Sequence, residues 1–579
     1  MTTYQDQPWL AQLNDAQRSR VRPRPSVLHA FRDAVAATPE RTAVAYFDGR
    51  LSYREADELS DAIAGHLAGH GFRRGDRIAV MLQNTPHFVL ALLGAWKAGG
   101  VAIPVNPMYK AGELAHVLAD SGAVALVCSD HAWGEYVREA AADSAVRLAY
   151  TARDRDFQTR DDPRVLRAPV SAPAPAPGAV PAPAPVPVGE RVRAAMAEPP
   201  TAVDLFAVAS AGARPPAATA AGPEPDDIAL ISYTSGTSGA PKGATNTHGN
   251  LVFNAERQRV NHALPVGSTY FALAPLFHIT GMVCELSACF AAGGTLALAH
   301  RFEASVVLDA FAEHRPAYTV GPATAFMALM AHPRVGRGHF ASFRVISSGG
   351  APLPPALVER FRTEFGRYIH NGYGLTECSA PCASVPPGTE APVDAASGTL
   401  AVGVPAPETL IRIVDDGGAE VPLGERGEIV VRGPMVVPGY WRRPEATAAA
   451  FPEGELRTGD IGFMDRGGWL YVVDRKKDMI NASGFKVWPR EVEDVLYTHP
   501  AVREAAVVGV PDAYRGETVK AYVSLRPGAS AEPGELTAYC RERLAAYKYP
   551  RAVDILPELP KTTSGKILRR ELRSRAEPA

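Results

Sequence analysis

The stretch YTSGTSGAPKG spans residues 233–243, directly after the apolar run IALIS at 228–232. Its glycines, Gly236, Gly239 and Gly243, let the backbone turn sharply and approach a ligand without Cβ clashes. Thr234, Ser235, Thr237 and Ser238 add hydroxyls to the backbone N–H groups, and Lys242 adds charge, so the loop can ring an anion. A polyphosphate suits it. The pattern G-x-x-x-x-G-K-[ST] has no match here, because Lys242 follows Pro241 and precedes Gly243. Further along stand Thr376 and Glu377 in NGYGLTE, Asp460 in RTGD, Arg475 in DRKKD and Lys566 in PKTTSGK. Each alone is compatible with a turn or a solvated face.

The elements that must position these groups come from a chain of 579 residues, more than one hydrophobic core normally supports, so at least two domains are expected. Hydrophobic residues at 46% and charged residues at 21% describe a core-forming globular protein. Lys plus Arg number 60 against 62 Asp plus Glu, a formal charge of -2, which argues against a polyanion such as nucleic acid as partner. Six scattered cysteines without a CxxC pair read as reduced structural thiols, not a disulfide framework or zinc site. The N-terminus carries no signal-like pattern and no apolar run reaches the length of a membrane span, which makes the cytoplasm the expected compartment.

From residue 27 onward, short apolar runs such as TAVAYF, RIAVML and ALVCSD alternate with helix-like stretches, the pattern of parallel sheets covered by helices. The Ala/Pro-rich stretch at about 165–223 cannot join a core where prolines are dense and reads as an exposed insertion, of which 168–189 is expected to be dispensable. The runs TLIRIVDD, GEIVVRG and WLYVVDR mark a β-rich subdomain, and a compact α+β pattern follows. The expected architecture is α/β: a large N-terminal domain at 26–474, a hinge at 475–478 and a small α+β lid at 479–575.

YTSGTSGAPKG closely resembles the phosphate-loop signature of the adenylate-forming superfamily, which contains acyl-CoA synthetases, adenylation domains of peptide synthetases and luciferase. APLFHITG (274–281), NGYGLTE (371–377), RTGD (457–460), DRKKDMINASGFKVWPREVE (474–493) and PKTTSGK (560–566) resemble further motifs of that family in the same order. The resemblance is strongest to bacterial long-chain fatty-acid CoA ligases. It implies a fold of parallel-type sheets with a mobile lid, and a reaction in which a carboxylate attacks the α-phosphate of ATP to give an acyl adenylate, from which a thiol displaces AMP. In these terms Thr234, Ser235, Gly236, Thr237, Ser238, Gly239 and Lys242 hold phosphates, with Gly349, Gly350, Ala351, Asn371, Gly372, Tyr373 and Gly374 around the nucleotide. Tyr373 stacks on adenine and Asp460 and Arg475 hold the ribose. Thr376 contacts the α-phosphate, Glu377 holds Mg²⁺, and Lys566 bridges carboxylate and α-phosphate. Lys477 is the hinge, Gly484 lines the pantetheine path, and Lys486 makes adenylation-state contacts.

Amino-acid-activating relatives carry an aspartate where this chain has His278, so an uncharged acyl or aryl tail is implied. His278 itself is expected to order the carboxylate or gate the thiol path, or else to be a packed core residue. The pocket walls are expected from 278–282, 320–326 and 348–351. No carrier-protein segment follows Lys566 and the interval 378–456 shows no low-complexity addition, which favours free coenzyme A as acceptor. The expected substrate is a medium- or long-chain fatty acid, with a coumarate-like aryl acid second. A carrier protein as acceptor and a homodimer stay open, as do an oxidative, luciferase-like activity and a nucleotide-binding descendant without catalysis. ATP, Mg²⁺ and coenzyme A are the implied substrates and metal.

Overall fold

The structure, a computed structural model, describes residues 3–166, 201–212, 222–234, 241–475, 478–482, 485–512, 516–562 and 565–575. A seven-stranded sheet runs in the order Ala202–Asp204, Leu148–Ala152, Ala125–Ser129, Arg77–Met81, Val101–Pro104, Ile228–Tyr233, Gly243–Thr247. All neighbours are parallel except the last pair. A nine-stranded sheet is parallel through Thr42–Tyr46, Thr295–Leu298, Thr269–Phe271, Tyr318–Gly321, Val345–Ser348 and Ile369–Tyr373, with antiparallel strands added at both edges.

Alternation along a strand assigns side chains to opposite faces, and the cores follow it. Ile78 and Val80 join the large apolar cluster that also takes Val44, Phe271 and Leu298 of the nine-stranded sheet. Ala79 and Met81 instead face a second cluster with Leu114 and Leu118 of helix Ala111–Ser121. The helix Pro86–Lys97 is buried along its whole length, with Phe88 to Leu93, Ala95 and Trp96 in the large cluster. At its end the Trp96 indole N–H donates to the Ala229 carbonyl at 3.1 Å, tying the helix to the strand that leads into the glycine-rich loop. The Lys97 ammonium, nearly inaccessible, is held by Asp57 and Asp61 at 2.6 and 2.7 Å.

An antiparallel sheet of Leu410–Val414, Gly427–Arg432, Leu456–Met464 and Leu470–Arg475 follows, with its own core. From Ile480 the chain belongs to a separate five-stranded sheet dominated by the hairpin Val502–Asp512 and Gly516–Leu525, covered by helices Pro489–Tyr497 and Pro533–Arg541. The α/β class with a small α+β unit therefore matches the expectation.

One reading needs correction. Within 165–223, taken as an excursion outside the core, Ala202–Asp204 is an edge strand paired in parallel with Leu148–Ala152. The following helix Leu205–Ser210, capped by the Asp204 side chain, buries Leu205, Val208 and Ala209. Asp before an apolar repeat is a helix-start signal that the surrounding Ala/Pro composition masked. Residues 167–200 and 213–221, including the densest prolines, lie outside the described residues.

Replacing Trp96 by Ala removes a fully buried indole and its hydrogen bond to the strand beneath the loop. A loss of about 3–5 kcal/mol is expected, read as a lower urea midpoint for the large domain.

Candidate active site

Ligands of open α/β sheets sit outside the carboxyl ends of the strands, and the motif residues gather there. The hairpin Ile228–Tyr233 and Gly243–Thr247 brackets the glycine-rich loop, closed at its base by the Thr234 N–H donating to the Lys242 carbonyl at 2.9 Å. The Tyr233 hydroxyl donates to Asp120 at 2.7 Å, and Asp120 also pairs with Arg443. Lys242 is exposed, with its ammonium 5.1 Å from the centre of the Tyr440 ring. Ser235, Gly236, Thr237, Ser238 and Gly239 lie outside the described residues, as do Lys477 and Gly484; Lys486 is in the strand Phe485–Val487.

Gly349 and Gly350 follow the strand Val345–Ser348, with Ala351 next in the same turn, and Asn371, Gly372, Tyr373 and Gly374 end the neighbouring strand. These two segments, without Ala351, line one side of a partly open cavity. The Asn371 carboxamide donates to the Ala401 carbonyl at 3.1 Å and accepts from the Gly372 N–H, which fixes the strand end.

Asp460 and Arg475 are register partners on adjacent antiparallel strands, and Arg475 Nε lies 3.0 Å from Asp460 Oδ1. The Tyr373 hydroxyl donates to Asp460 Oδ2 at 2.7 Å, so three motif residues from different parts of the chain meet at one carboxylate. Burial raises the Asp460 carboxyl above its usual range, while Arg475 and the tyrosine pull it back down.

Thr376 and Glu377 form a short 3₁₀ turn, Thr376–Cys378, anchored where Asn246 donates to the Thr376 carbonyl at 3.0 Å. The Tyr440 hydroxyl donates to Glu377 Oε1 at 2.8 Å. That bond orients the carboxylate and leaves Oε2 as a hard oxygen donor. A single carboxylate of this kind fits Mg²⁺, which usually keeps waters and substrate phosphates as its other ligands. Tyr440 was not singled out from sequence, although it sits in GYW beside the loop.

Lys566 is carried into this region by the small unit. Its side chain passes over Gly350: a Cβ there would stand 3.4 Å from Lys566 Cε, on a backbone with φ of +77° that already favours glycine. The neighbouring Gly565, φ +80°, docks so closely that a Cβ would meet Thr324 Oγ1 at 2.6 Å. Thr324 also donates to the Gly565 carbonyl at 3.1 Å. Burial, with Arg475 nearby, lowers the Lys566 pKa from the ordinary lysine value against the opposing pull of Asp460 and Glu377. A cation from one unit is thus set against two carboxylates of the other.

The join between the units combines Trp488, buried in the core of the antiparallel sheet, with an ionic cluster. Arg569 pairs with Asp474 at 3.0 Å and Glu493 at 2.7 Å, Arg573 pairs with Asp478 at 2.8 Å, and the Arg490 N–H donates to Asp474 at 3.0 Å.

His278 opens the loop before the π-helical segment Gly281–Ser287; its Nδ1 accepts from the Thr280 N–H at 3.3 Å. Burial, reinforced by the Lys566 charge, pushes its pKa down to about 3, so the ring is neutral. Glu285, fully buried, accepts from the Leu273 and Val320 N–H groups at 3.0 and 3.2 Å and so links the loop to strand Tyr318–Gly321. Burial raises its pKa well above the usual range. No sequence pattern marks it.

Of the expected walls, Thr280, Val320, Ser348, Gly349 and Gly350 line the cavity. Helix His248–His262, which follows the loop hairpin directly, supplies further lining through Gln258, Asn261 and His262; sequence reasoning missed them because none of the three belongs to a recognised motif.

A sheet-end cavity, a hydroxyl-rich hairpin loop, a paired Asp–Arg edge and a lysine delivered by a second unit define a two-part nucleotide-handling enzyme. The chain belongs to the AMP-binding enzyme family: residues 31–441 match that family, and 491–566 match the AMP-binding enzyme C-terminal domain. It is 34% identical over 574 residues to a long-chain-fatty-acid–CoA ligase of Bacillus subtilis, covering 98% of this chain and 97% of that protein. It is 37% identical over 540 residues to a feruloyl-CoA synthase of Amycolatopsis, covering 93% and 96%. Among solved structures, the anthranilate CoA ligase AuaEII in complex with anthranoyl-AMP superposes with a TM-score of 0.80 at 25% identity, covering 96% of this chain and 98% of that one.

Burial also pushes His248 and His262 to about 3. Unfolding would return all three rings to near 6.5, so between about pH 6.5 and pH 3 the unfolded chain binds more protons. Stability is therefore greatest above pH 6.5 and falls as the pH drops through that window. Urea midpoints at pH 7.5 and pH 5 are expected to differ in that sense, and the fall should be smaller in His248→Gln.

Proposed function

We propose that the protein is an ATP-dependent acyl-CoA synthetase, an AMP-forming acid–thiol ligase. A carboxylate oxygen attacks the α-phosphorus of ATP, the bond to the β-phosphate oxygen breaks, and pyrophosphate leaves. The coenzyme A sulfur then attacks the acyl carbon of the adenylate, AMP leaves, and the thiol proton passes to solvent. Joining two anions needs fixed positive charge at the point where charge develops. The observation that carries the reading is Lys566 lying over Gly350 with Asp460, Arg475 and Glu377 around it.

In this reading Lys566 bridges carboxylate and α-phosphate, Thr376 contacts the α-phosphate, and the loop from Thr234 to Lys242 receives the outer phosphates. Tyr373 stacks on adenine, and Asp460, oriented by Arg475 and the Tyr373 hydroxyl, accepts from the ribose hydroxyls. Glu377 holds Mg²⁺, which neutralises phosphate charge when bound, and Tyr440 orients that carboxylate. His278, neutral, helps order the acid without repelling Lys566. The domains divide as 26–474 and 479–575 about a hinge at 475–478. Swinging there exchanges the Lys566 face for a thioester-forming face, with Gly484 on the pantetheine path, and the Asp474–Arg569 cluster holds the first of these arrangements.

The acid is a carboxylate without an ammonium group, since His278 offers no counter-charge. Relatives named for long-chain fatty acids and for ferulate both support this class. A medium- or long-chain fatty acid is the leading reading and an aryl acid the second, the latter favoured by polar groups in the cavity wall. Among the described residues no helix is long and apolar enough to cross a membrane. Cytoplasmic action on free coenzyme A is the proposed setting.

Lys566→Ala is expected to lower acid-dependent pyrophosphate release by about 10²- to 10³-fold while largely sparing thioester formation from supplied acyl-AMP. Equal loss of both half-reactions would overturn the two-state lid. Tyr440→Phe is expected to raise the Mg²⁺ concentration for half-maximal adenylation several-fold with little change in the KM for the acid; an unchanged Mg²⁺ profile would remove Tyr440 from this role.

A further inference from the structure

The end of the cavity away from the nucleotide-facing loops is lined unlike an alkyl tunnel. Ser347 and His370 are register partners on neighbouring parallel strands, so they share one sheet face, and Tyr318 stands on the adjoining strand. Opposite them, the last turns of helix His248–His262 present Gln258, Asn261 and His262. The His262 and Tyr318 ring centres are 4.3 Å apart, closing the space between helix and sheet. The polar groups are set among the small apolar residues Val320, Val345 and Cys284; no Leu, Ile, Met or Phe is among the described residues that line this cavity.

Two of these polar groups have known commitments: His370 Nδ1 lies 3.2 Å from the Ile346 carbonyl, and Ser347 bonds the Tyr318 hydroxyl. His262 differs, because its Nδ1 is buried without a hydrogen-bond partner. Burial keeps the ring neutral, so it holds one N–H and one lone pair and can donate to a carbonyl or accept from a hydroxyl. The Gln258 carboxamide likewise offers both a donor and an acceptor. A tail of bare CH₂ or aromatic CH groups packed here would strip water from these groups and give no hydrogen bond in return, which is costly for any buried polar atom.

We propose that this end of the cavity recognises a hydrogen-bonding oxygen, hydroxyl or carbonyl, on the tail of the acid, with His262 and Gln258 as its partners. The inference rests on the acyl-CoA synthetase reading and narrows its substrate class. The same oxygen can stand on an aromatic ring or at the end of an alkyl chain, since both present one polar atom remote from the carboxylate.

The test compares paired acids in the wild-type protein with ATP, Mg²⁺ and coenzyme A: para-hydroxycinnamate against cinnamate, and omega-hydroxydecanoate against decanoate. Palmitate is added as a long unsubstituted acid. At least one oxygenated acid should exceed its unsubstituted partner and palmitate in kcat/KM by about 10-fold or more, because a site built to bond a polar group rejects the analogue that lacks it. The responding pair tells ring from chain. In Gln258→Leu and His262→Leu that ratio should collapse towards unity, chiefly through loss on the oxygenated acid. Circular dichroism and retained ATP binding confirm that the variants fold. Equal or better turnover of unsubstituted acids, or a ratio untouched by both substitutions, overturns the tail site while leaving the ligase reading intact. Silence with every acid, in both pyrophosphate and thioester assays, overturns the ligase reading and the tail site with it.

Discussion

A lysine ammonium has to be brought out of water against the carboxylates of a different structural unit, and much of the architecture answers to that requirement. Desolvation opposes the charged form of Lys566 and Arg475 adds repulsion; Asp460 and Glu377 act in the other direction. Those carboxylates are fixed before the lysine arrives, Asp460 by Arg475 and Tyr373, and Glu377 by Tyr440. A preorganised donor in a restricted pocket acts far more strongly than the same donor in water. Gly565 beside the lysine leaves room for a contact that a side chain would block, and Gly350 beneath it holds a backbone conformation that favours glycine.

The two large sheets make such fixing affordable. Their parallel strands end together, so loops from distant parts of the chain converge without long excursions. Buried polar links then set the ends at fixed heights: Trp96 to the strand before the phosphate loop, Asn246 to the Thr376 turn, Glu285 between the 273–274 segment and Val320. The small unit is held by both kinds of contact: a cluster of charges around Asp474 and Arg569, and Trp488 buried in the core of the antiparallel sheet.

The cavity combines two kinds of surface. Its nucleotide-facing side is backbone and glycine, which accepts close approach by phosphate and ribose. Its other side mixes Val320 and Cys284 with imidazole and carboxamide groups, among which His262 Nδ1 has no hydrogen-bond partner. Apolar bulk contributes affinity roughly in proportion to area, but it is the polar groups that penalise a mismatched tail.

The α/β class and the order of the motifs are legible in the sequence, as are the residues that the structure gathers around Asp460. Those features are local: a glycine-rich loop after an apolar strand, or Asp460 within RTGD, can be read from neighbouring residues because backbone geometry and hydrogen-bonding capacity are short-range properties. The strand and helix at 202–210 escaped because composition was averaged over a longer Ala/Pro-rich span than the element itself. Only the tertiary structure decided that Tyr373, Asp460 and Arg475 meet at one carboxylate, that Tyr440 holds Glu377, and that Lys566 lies over Gly350. It alone brought Gln258 and His262 opposite Tyr318. These pairings join positions tens to hundreds of residues apart, and strand order and lid position, which set them, leave no periodic trace in the chain.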